Sequence, residues 1–233
     1  MKTLIIIPAF NEQENIERVI RYLSENCPDC DYVVINDCST DSTGRILDEQ
    51  NIRHIDLCCN LGIGGAVQTG YLYALENGYD CAVQMDGDGQ HDARYLPALL
   101  APIENGQCNI TIGSRFLENE GFQSSALRRF GIRFLSGAVR LSCGARVKDV
   151  TSGFRAVDRR FIAYYAKHYA SDYPEPEAIV TATMAGAKIT EVPVVMHSRK
   201  GGVSSISPFK SVYYMIKVSL AILLAGFTEG KGA

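Results

Sequence analysis

The sequence predicts a single α/β domain, a mostly parallel sheet flanked by helices, and three observations carry that expectation. Short aliphatic runs alternate with stretches of helical periodicity through the first half of the 233 residues, the pattern of a parallel sheet whose crossovers are helices. The first run, Thr3-Leu-Ile-Ile-Ile-Pro8, is continuously apolar, as a strand buried on both faces must be. No repeat or linker-like stretch divides the chain.

Taken in order, Thr3 to Pro8 is the first strand. Beyond Asn11, placed to cap a helix, Ile16, Val19, Ile20 and Leu23 recur at helical spacing. Asp31 to Asn36 is the second strand, with a helix from about Asp41 to Glu49. Arg53 to Leu57 is a third strand and Gly65 to Glu76 a third helix. Asp80 to Met85 makes a fourth strand, Ala93 to Ile103 a helix, and Cys108 to Ile112 a fifth strand. The second half is less regular. A helix is expected over Ser125 to Leu141, then a glycine-containing turn and the segment Lys148 to Gly153, then a helix over Arg159 to Lys167. Ala187 to Met196 reads as a strand that Pro193 confines to a sheet edge or bulge. His197 to Pro208 is a Ser/Gly-rich loop and Phe209 to Phe227 a closing helix.

Apolar residues make up 46% and charged residues 21%, which excludes disordered and collagen-like chains. A net charge of −3 argues against a nucleic-acid partner, which calls for a strongly basic face. The eight cysteines follow no secretory signal, since the first apolar run is too short for one. They read as reduced thiols of a cytoplasmic protein, mostly small core residues. Cys27-Pro-Asp-Cys30 has the spacing of a redox or zinc motif, but no second ligand pair accompanies it.

In such sheets ligands bind beyond the carboxyl ends of the strands. Those ends carry Pro8-Ala-Phe-Asn-Glu12, Asn36-Asp37-Cys-Ser-Thr-Asp41, Met85-Asp86-Gly-Asp88-Gly-Gln90-His-Asp92 and Gly113-Ser-Arg115. So much like charge at one edge points to a bound cation and a polyanionic ligand. Asp86 and Asp88 are the sharpest feature, because side chains at i and i+2 of extended backbone share a side and can reach one hard cation. Two carboxylates plus substrate phosphate oxygens is how Mg²⁺ is usually held, and Mn²⁺ accepts similar ligands. An EF-hand is excluded by His91 at the turn position and Pro97 where the bidentate glutamate belongs. Asp37 fits a ribose or base contact or a turn cap, and Gly62-Ile-Gly64-Gly65 opens a helix where a phosphate can approach. Neither G-x-G-x-x-G nor a Walker A loop occurs. His54, His91, His168 and His197 are too dispersed for a zinc site.

These strand-end motifs, with Asn60-Leu-Gly-Ile-Gly64 and Thr151-Ser-Gly-Phe-Arg155, occur in an order that closely resembles family-2 glycosyltransferases of GT-A fold. Within them the chain is similar to the dolichol-phosphate mannosyltransferase and bactoprenol-phosphate glycosyltransferase branch, over roughly residues 2–218. The resemblance implies that Pro8, Phe10, Glu12 and Asp37 bind the nucleotide, with Gly64, Asp86 and Gln90 beside it. It implies that Asp88 is the principal metal carboxylate, with Asp86 and Gln90 around the metal, and that Arg115 is a cation near the donor phosphates or acceptor. Arg199 and Lys200 are expected to close over the diphosphate from a loop.

The expected activity is metal-dependent, inverting transfer of a sugar from a nucleotide donor, UDP-linked by first expectation, to a polyprenyl phosphate or a cell-envelope glycan. A lipid phosphate needs no general base, whereas a sugar hydroxyl does. For that case Asp172-Tyr-Pro-Glu175-Pro-Glu177, held extended by its prolines, offers Glu177 and Asp172. A sugar nucleotidyltransferase is the competing enzyme class, but Pro8 to Glu12 lacks the cation its opening loop would carry. A catalytically silent binding module is the third class, disfavoured by the intact aspartate pair. On the Ser125 to Leu141 helix, Arg129, Arg133 and Arg140 fall in one sector and Leu127, Phe130, Phe134, Ala138 and Leu141 in another. A basic amphipathic helix suits an anionic membrane. The apolar run Val218 to Phe227, within the closing helix over 209–227, is too short to span a bilayer. The expectation is therefore peripheral attachment to the inner face of the cell membrane, with a small membrane-protein partner as one route.

Overall fold

Strand β1 (Thr3–Ala9) is buried along its whole length, and its residues alternate between two cores. Leu4 and Ile6 join one apolar cluster while Ile5 and Ile7 join the other, the two-sided burial that its unbroken aliphatic run anticipates. The computed structural model describes residues 1–118, 126–170 and 174–197. In chain order the remaining elements are α1 (Ile16–Asn26), β2 (Asp31–Asn36), α2 (Thr43–Glu49), β3 (His54–Asp56), α3 (Gly62–Glu76), β4 (Cys81–Gln84), a 3-10 turn (Ala93–Tyr95) leading into α4 (Leu96–Glu104), β5 (Ile110–Ser114), α5 (Ala126–Cys143), β6 (Arg155–Asp158), α6 (Arg159–Tyr165), α7 (Pro174–Met184) and β7 (Ile189–Pro193).

The strands form one sheet in the order β3-β2-β1-β4-β6-β5-β7. Every pairing is parallel except those of β6, which runs antiparallel to both β4 and β5. Helices α3, α5, α6 and α7 supply the cluster on one face, with Tyr71, Leu135, Phe161 and Ile179 in it. On the other face α1, α2 and α4 bring Ile16, Leu23, Leu47 and Leu99. Helix α3 lies so close to β1 that a Cβ at Gly70 would overlap the Ile6 side chain.

Several expectations are corrected. Asn11 does not cap α1. It sits in the left-handed region at φ 56°, and its side-chain oxygen accepts the N–H groups of Thr40 and Asp41 instead. Strand β6 was not anticipated, because four residues bounded by Arg155 and Asp158 carry little strand pattern. The segment around Glu175 is helical rather than extended. Pro174 and Pro176 fall in the first turn of α7, where the missing N–H costs nothing. Glu175 and Glu177 therefore diverge by about 200° rather than sharing a side. Strand β7 lies at the sheet edge and ends at Pro193, as the proline requires. Cys27 and Cys30 form a disulfide with Cα atoms 5.6 Å apart, so reduced thiols are not found there; the residues flank a turn that brings them within bonding range. Of the six free cysteines only Cys81 and Cys108 are buried, while Cys58 and Cys59 are exposed. The expected helix over 209–227 lies outside the described residues.

Candidate active site

The carboxyl ends of β1, β2, β4 and β5 converge on one edge, and β6 adds its amino end to them. At β1 the carbonyl of Pro8 accepts the Gly87 N–H at 3.3 Å, so Pro8 braces the acidic loop by its backbone. Phe10 is exposed. Glu12 is buried and accepts from the Asn15 amide at 2.9 Å, while Asn15 in turn accepts from Arg18 at 3.0 Å. Asp37 is buried beyond β2, and its Oδ1 accepts the Leu61 N–H at 2.7 Å. That bond ties the end of β2 to the start of α3. Gly64 lies inside the first turn of α3, buried, and the glycine in the left-handed region there is Gly62.

The acidic loop follows β4. Asp86 is roughly one-third exposed at its side chain and is held from three directions. Its N–H donates to His91 Nδ1 at 3.0 Å, His91 Nε2 lies 3.8 Å from its Oδ2, and Gln84 Nε2 donates to its Oδ1 at 3.2 Å. His91 is buried and stacked on Phe154, ring centroids 4.8 Å apart. A Cβ at Gly87 would come within 3.1 Å of the Pro8 carbonyl, and Gly89 adopts φ +76°. Both glycines let the loop fold back under Asp88, whose Oδ1 accepts the Gln90 N–H at 3.0 Å. The Gln90 amide donates to the His197 carbonyl at 3.3 Å, and His197 N–H returns to the Gln90 carbonyl at 2.9 Å. Asp92 is fully buried and receives Arg94, the Tyr22 hydroxyl and His197 Nε2. Burial alone would raise its pKa; the bonds from Arg94, Tyr22 and His197 outweigh it and hold the carboxyl below the usual range.

Arg115, expected as a cation near the donor phosphates or acceptor, is half of a buried ion pair. It is engaged with Asp149, whose Oδ2 accepts Nε and Oδ1 accepts Nη2, both at 2.7 Å, and Nη2 also reaches Thr151 at 3.1 Å. Asp149 is completely buried. Burial pulls the Arg115 pKa down, but the Asp149 bond and charge, with the Asp86 charge behind them, raise it overall. Arg155, sealed in the sheet, donates to the carbonyls of Ser152 and Glu175 and so clamps the 149–154 loop to α7. The Glu175 carboxyl has a raised pKa, chiefly from burial, within the opposing field of Arg155 and the like field of Asp86. Glu177 is raised by burial. Of the two base candidates expected, Glu177 falls on a different side of α7 from Glu175 by the helical spacing, and it is Glu175 that feels the field of Asp86. Asp172, Arg199 and Lys200 lie outside the described residues.

Sequence reasoning assigned no role to Gln84, His91, Asp149, Arg155 or Glu175, although His91, Arg155 and Glu175 stand inside the motifs quoted above. Gln84 and Asp149 signal themselves only by standing beside the motifs, since a buried polar residue next to an apolar run resembles an ordinary core position.

A mixed sheet with this acidic loop at the carboxyl end of a central strand defines a GT-A α/β domain. The fold is shared with glucosyl-3-phosphoglycerate synthase from Mycobacterium tuberculosis, at a TM-score of 0.74 and 20% identity over 97% of this chain and 79% of that one. The family model described as Glycosyl transferase family 2 matches residues 4–165. The chain belongs to that family and is a glycosyltransferase. It is 29% identical to a polyprenol monophosphomannose synthase of Mycolicibacterium smegmatis, over 94% of this chain and 86% of the relative. An undecaprenyl-phosphate mannosyltransferase of Micrococcus luteus is also 29% identical, over 89% of this chain and 88% of its own length. A UDP-N-acetylglucosamine–dolichyl-phosphate N-acetylglucosaminyltransferase of Methanococcus voltae is 29% identical over 94% of this chain and 97% of its own.

Proposed function

We propose that the protein transfers a sugar, with inversion, from a nucleoside-diphosphate sugar to a polyprenyl phosphate. The observation that carries the reading is the pair Asp86 and Asp88 on a glycine-hinged loop at the carboxyl end of β4. The relatives named above act on polyprenyl or dolichyl phosphates by their names, which favours the lipid acceptor over a glycan. UDP is our first expectation for the nucleotide, with GDP as the comparison.

In this scheme the acceptor phosphate oxygen attacks the anomeric carbon from the face opposite the diphosphate. The bond from that carbon to the diphosphate oxygen breaks, and the nucleoside diphosphate leaves with the electron pair. The acceptor is already an anion, so no proton has to be removed. The residues present fit a hard cation, since the loop offers carboxylate oxygens. A Mg²⁺ or Mn²⁺ held by two carboxylates would take its remaining ligands from phosphate and water. Bound by Asp86 and Asp88 with Gln90 alongside, Mg²⁺ or Mn²⁺ would neutralise charge developing on the departing diphosphate. Asp37, Glu12 and Phe10 are proposed to contact the nucleoside, and Arg199 and Lys200 to meet the diphosphate. Should the acceptor be a sugar hydroxyl instead, a carboxylate of the 172–177 segment would be the general base, with Glu175, which feels the field of Asp86, added to the candidates Glu177 and Asp172.

Attachment to the membrane is proposed through α5. Its inner face buries Ile132, Leu135 and Val139, while Phe130, Phe134 and Leu141 stay exposed beside the exposed Arg133 and Arg140. No helix among the described residues is long and apolar enough to cross a bilayer, so α5 would lie along the surface. A small membrane-protein partner is a further proposed anchor.

The decisive experiment measures nucleoside diphosphate release from a panel of nucleotide sugars, with and without polyprenyl phosphate. It is paired with calorimetry of UDP and GDP in the presence and absence of Mn²⁺. Lipid-dependent release and metal-assisted nucleotide affinity are expected. Asp88→Asn turning over as fast as the parent, or no metal-assisted affinity for either nucleotide, would refute the reading.

A further inference from the structure

Gln84 closes β4 and is completely buried, a primary amide on a strand whose other residues are Cys81, Ala82 and Val83. A buried amide is costly unless both of its ends are hydrogen-bonded. Here both are. Nε2 donates to Asp86 Oδ1 at 3.2 Å, and Oε1 accepts the Tyr169 hydroxyl at 3.4 Å. Turning the amide over would set its carbonyl against a carboxylate, acceptor facing acceptor, so the charge on Asp86 fixes which way it points.

Two neighbours keep the arrangement in place. Gly153 closes over it so tightly that a Cβ there would lie 2.8 Å from Gln84 Nε2 and 3.3 and 3.4 Å from the two Asp86 oxygens. Tyr169 is packed edge-on against Tyr71 and Tyr165, at centroid distances of 5.4 and 5.1 Å, so its hydroxyl is not at liberty to swing away. Meanwhile His91 takes up the Asp86 N–H. One carboxylate oxygen, Oδ1, is thereby tied to Gln84, while Oδ2 lies 3.8 Å from His91 Nε2. Carboxylate rotation about χ2 is otherwise soft. A neutral donor suits this task better than lysine or arginine would, because it orients the group without cancelling its charge.

We propose that Gln84 is a positioning residue for Asp86, backed by Tyr169 and roofed by Gly153, and that this chain of contacts sets the direction in which the carboxylate meets a divalent cation. The proposal rests on the reading of Asp86 as a cation-binding carboxylate. Groups that orient a metal ligand from behind typically change metal affinity 10- to 100-fold when removed.

The test titrates the full chain with Mn²⁺ alone and with saturating UDP or GDP, by calorimetry or Mn²⁺ electron paramagnetic resonance, and records the unfolding midpoint of each variant. Gln84→Leu is expected to weaken Mn²⁺ binding by about 10- to 100-fold. Tyr169→Phe should weaken it less, and should have no further effect once Gln84 is leucine. Gly153→Ala, which leaves both partners in place but crowds them, should also weaken it. If the wild-type chain takes up no Mn²⁺ in any of these conditions, the reading of the site falls and the proposal with it. If the wild type binds and Gln84→Leu binds as tightly, the positioning role alone is overturned, even if the unfolding midpoint drops. Should Gln84→Leu not fold, Mn²⁺ affinity unchanged in both Gly153→Ala and Tyr169→Phe overturns it equally.

Discussion

Replacing Asp149 by asparagine removes one charge at a buried site and changes almost nothing in shape. Asp149 is completely buried, and the Arg115 side chain opposite is only 11% exposed. The carboxylate accepts Arg115 Nε and Nη2 at 2.7 Å each and the Arg115 backbone N–H at 3.1 Å. An asparagine must turn its NH₂ towards one of these donors, so at least one of them loses its acceptor while the guanidinium stays buried. Removing one partner of a buried pair costs about 3–5 kcal/mol, because the charge left inside loses its nearest counter-charge. For a domain of this size each kcal/mol moves the unfolding midpoint by about 2–4 °C, so a fall of roughly 6–20 °C is expected. Urea unfolding at pH 7 gives the free energy and scanning calorimetry the midpoint. The double change Asp149→Leu with Arg115→Met should lose less than Asp149→Asn alone, since apolar residues of similar volume remove both charges together. A loss below about 1 kcal/mol for Asp149→Asn would show that the Arg115–Asp149 pair contributes no more than a surface ion pair.

Gly70→Ala places a methyl into the Ile6 side chain. Overpacking of about 1–3 kcal/mol should exceed the roughly 1 kcal/mol gained in helix propensity, and urea unfolding should show the loss shrinking in an Ile6→Ala background. Asp92 has a folded pKa depressed below its unfolded value, so its stabilisation is present above about pH 4 and is lost as pH falls through the folded value. Asp92→Asn should lower stability at pH 7 and flatten its acid dependence below about pH 4, read from urea midpoints across pH. Phe130→Ser with Phe134→Ser removes two exposed rings from α5; binding to anionic vesicles should fall while the unfolding midpoint stays within a few degrees.

Much of the sheet is legible in the sequence because β1, β2 and β4 bury apolar runs, and a run of that kind has few other places to go. Asp86 and Asp88 are legible because paired carboxylates around glycine are costly without a ligand. Arg155 is not legible. A charged residue at the head of a four-residue strand looks like a loop, and only the Ser152 and Glu175 carbonyls that receive it make its burial tolerable. The Pro174-Glu-Pro176 segment misleads for a different reason. Proline disrupts helix interiors but is at home in a first turn, and local sequence does not say where a helix begins. Cys27 and Cys30 likewise carry the spacing of a pair without declaring that they close on each other.

The inversion of β6 has a consequence for the order in which the molecule is assembled during synthesis. Because this strand runs against its neighbours, it delivers the residues that precede it to the same edge at which β4 and β5 finish. The pairing Cys81↔Asp158 joins positions far apart along the polypeptide, and Asp149, Gly153 and Arg155 reach the acidic loop only when it forms. A nascent chain that has emerged as far as α5 can therefore bring β1, β2, β3 and β4 together, yet it leaves Arg115 without its carboxylate and Asp86 without its roof. The edge around the acidic loop is complete only once the later strand has threaded between two earlier ones.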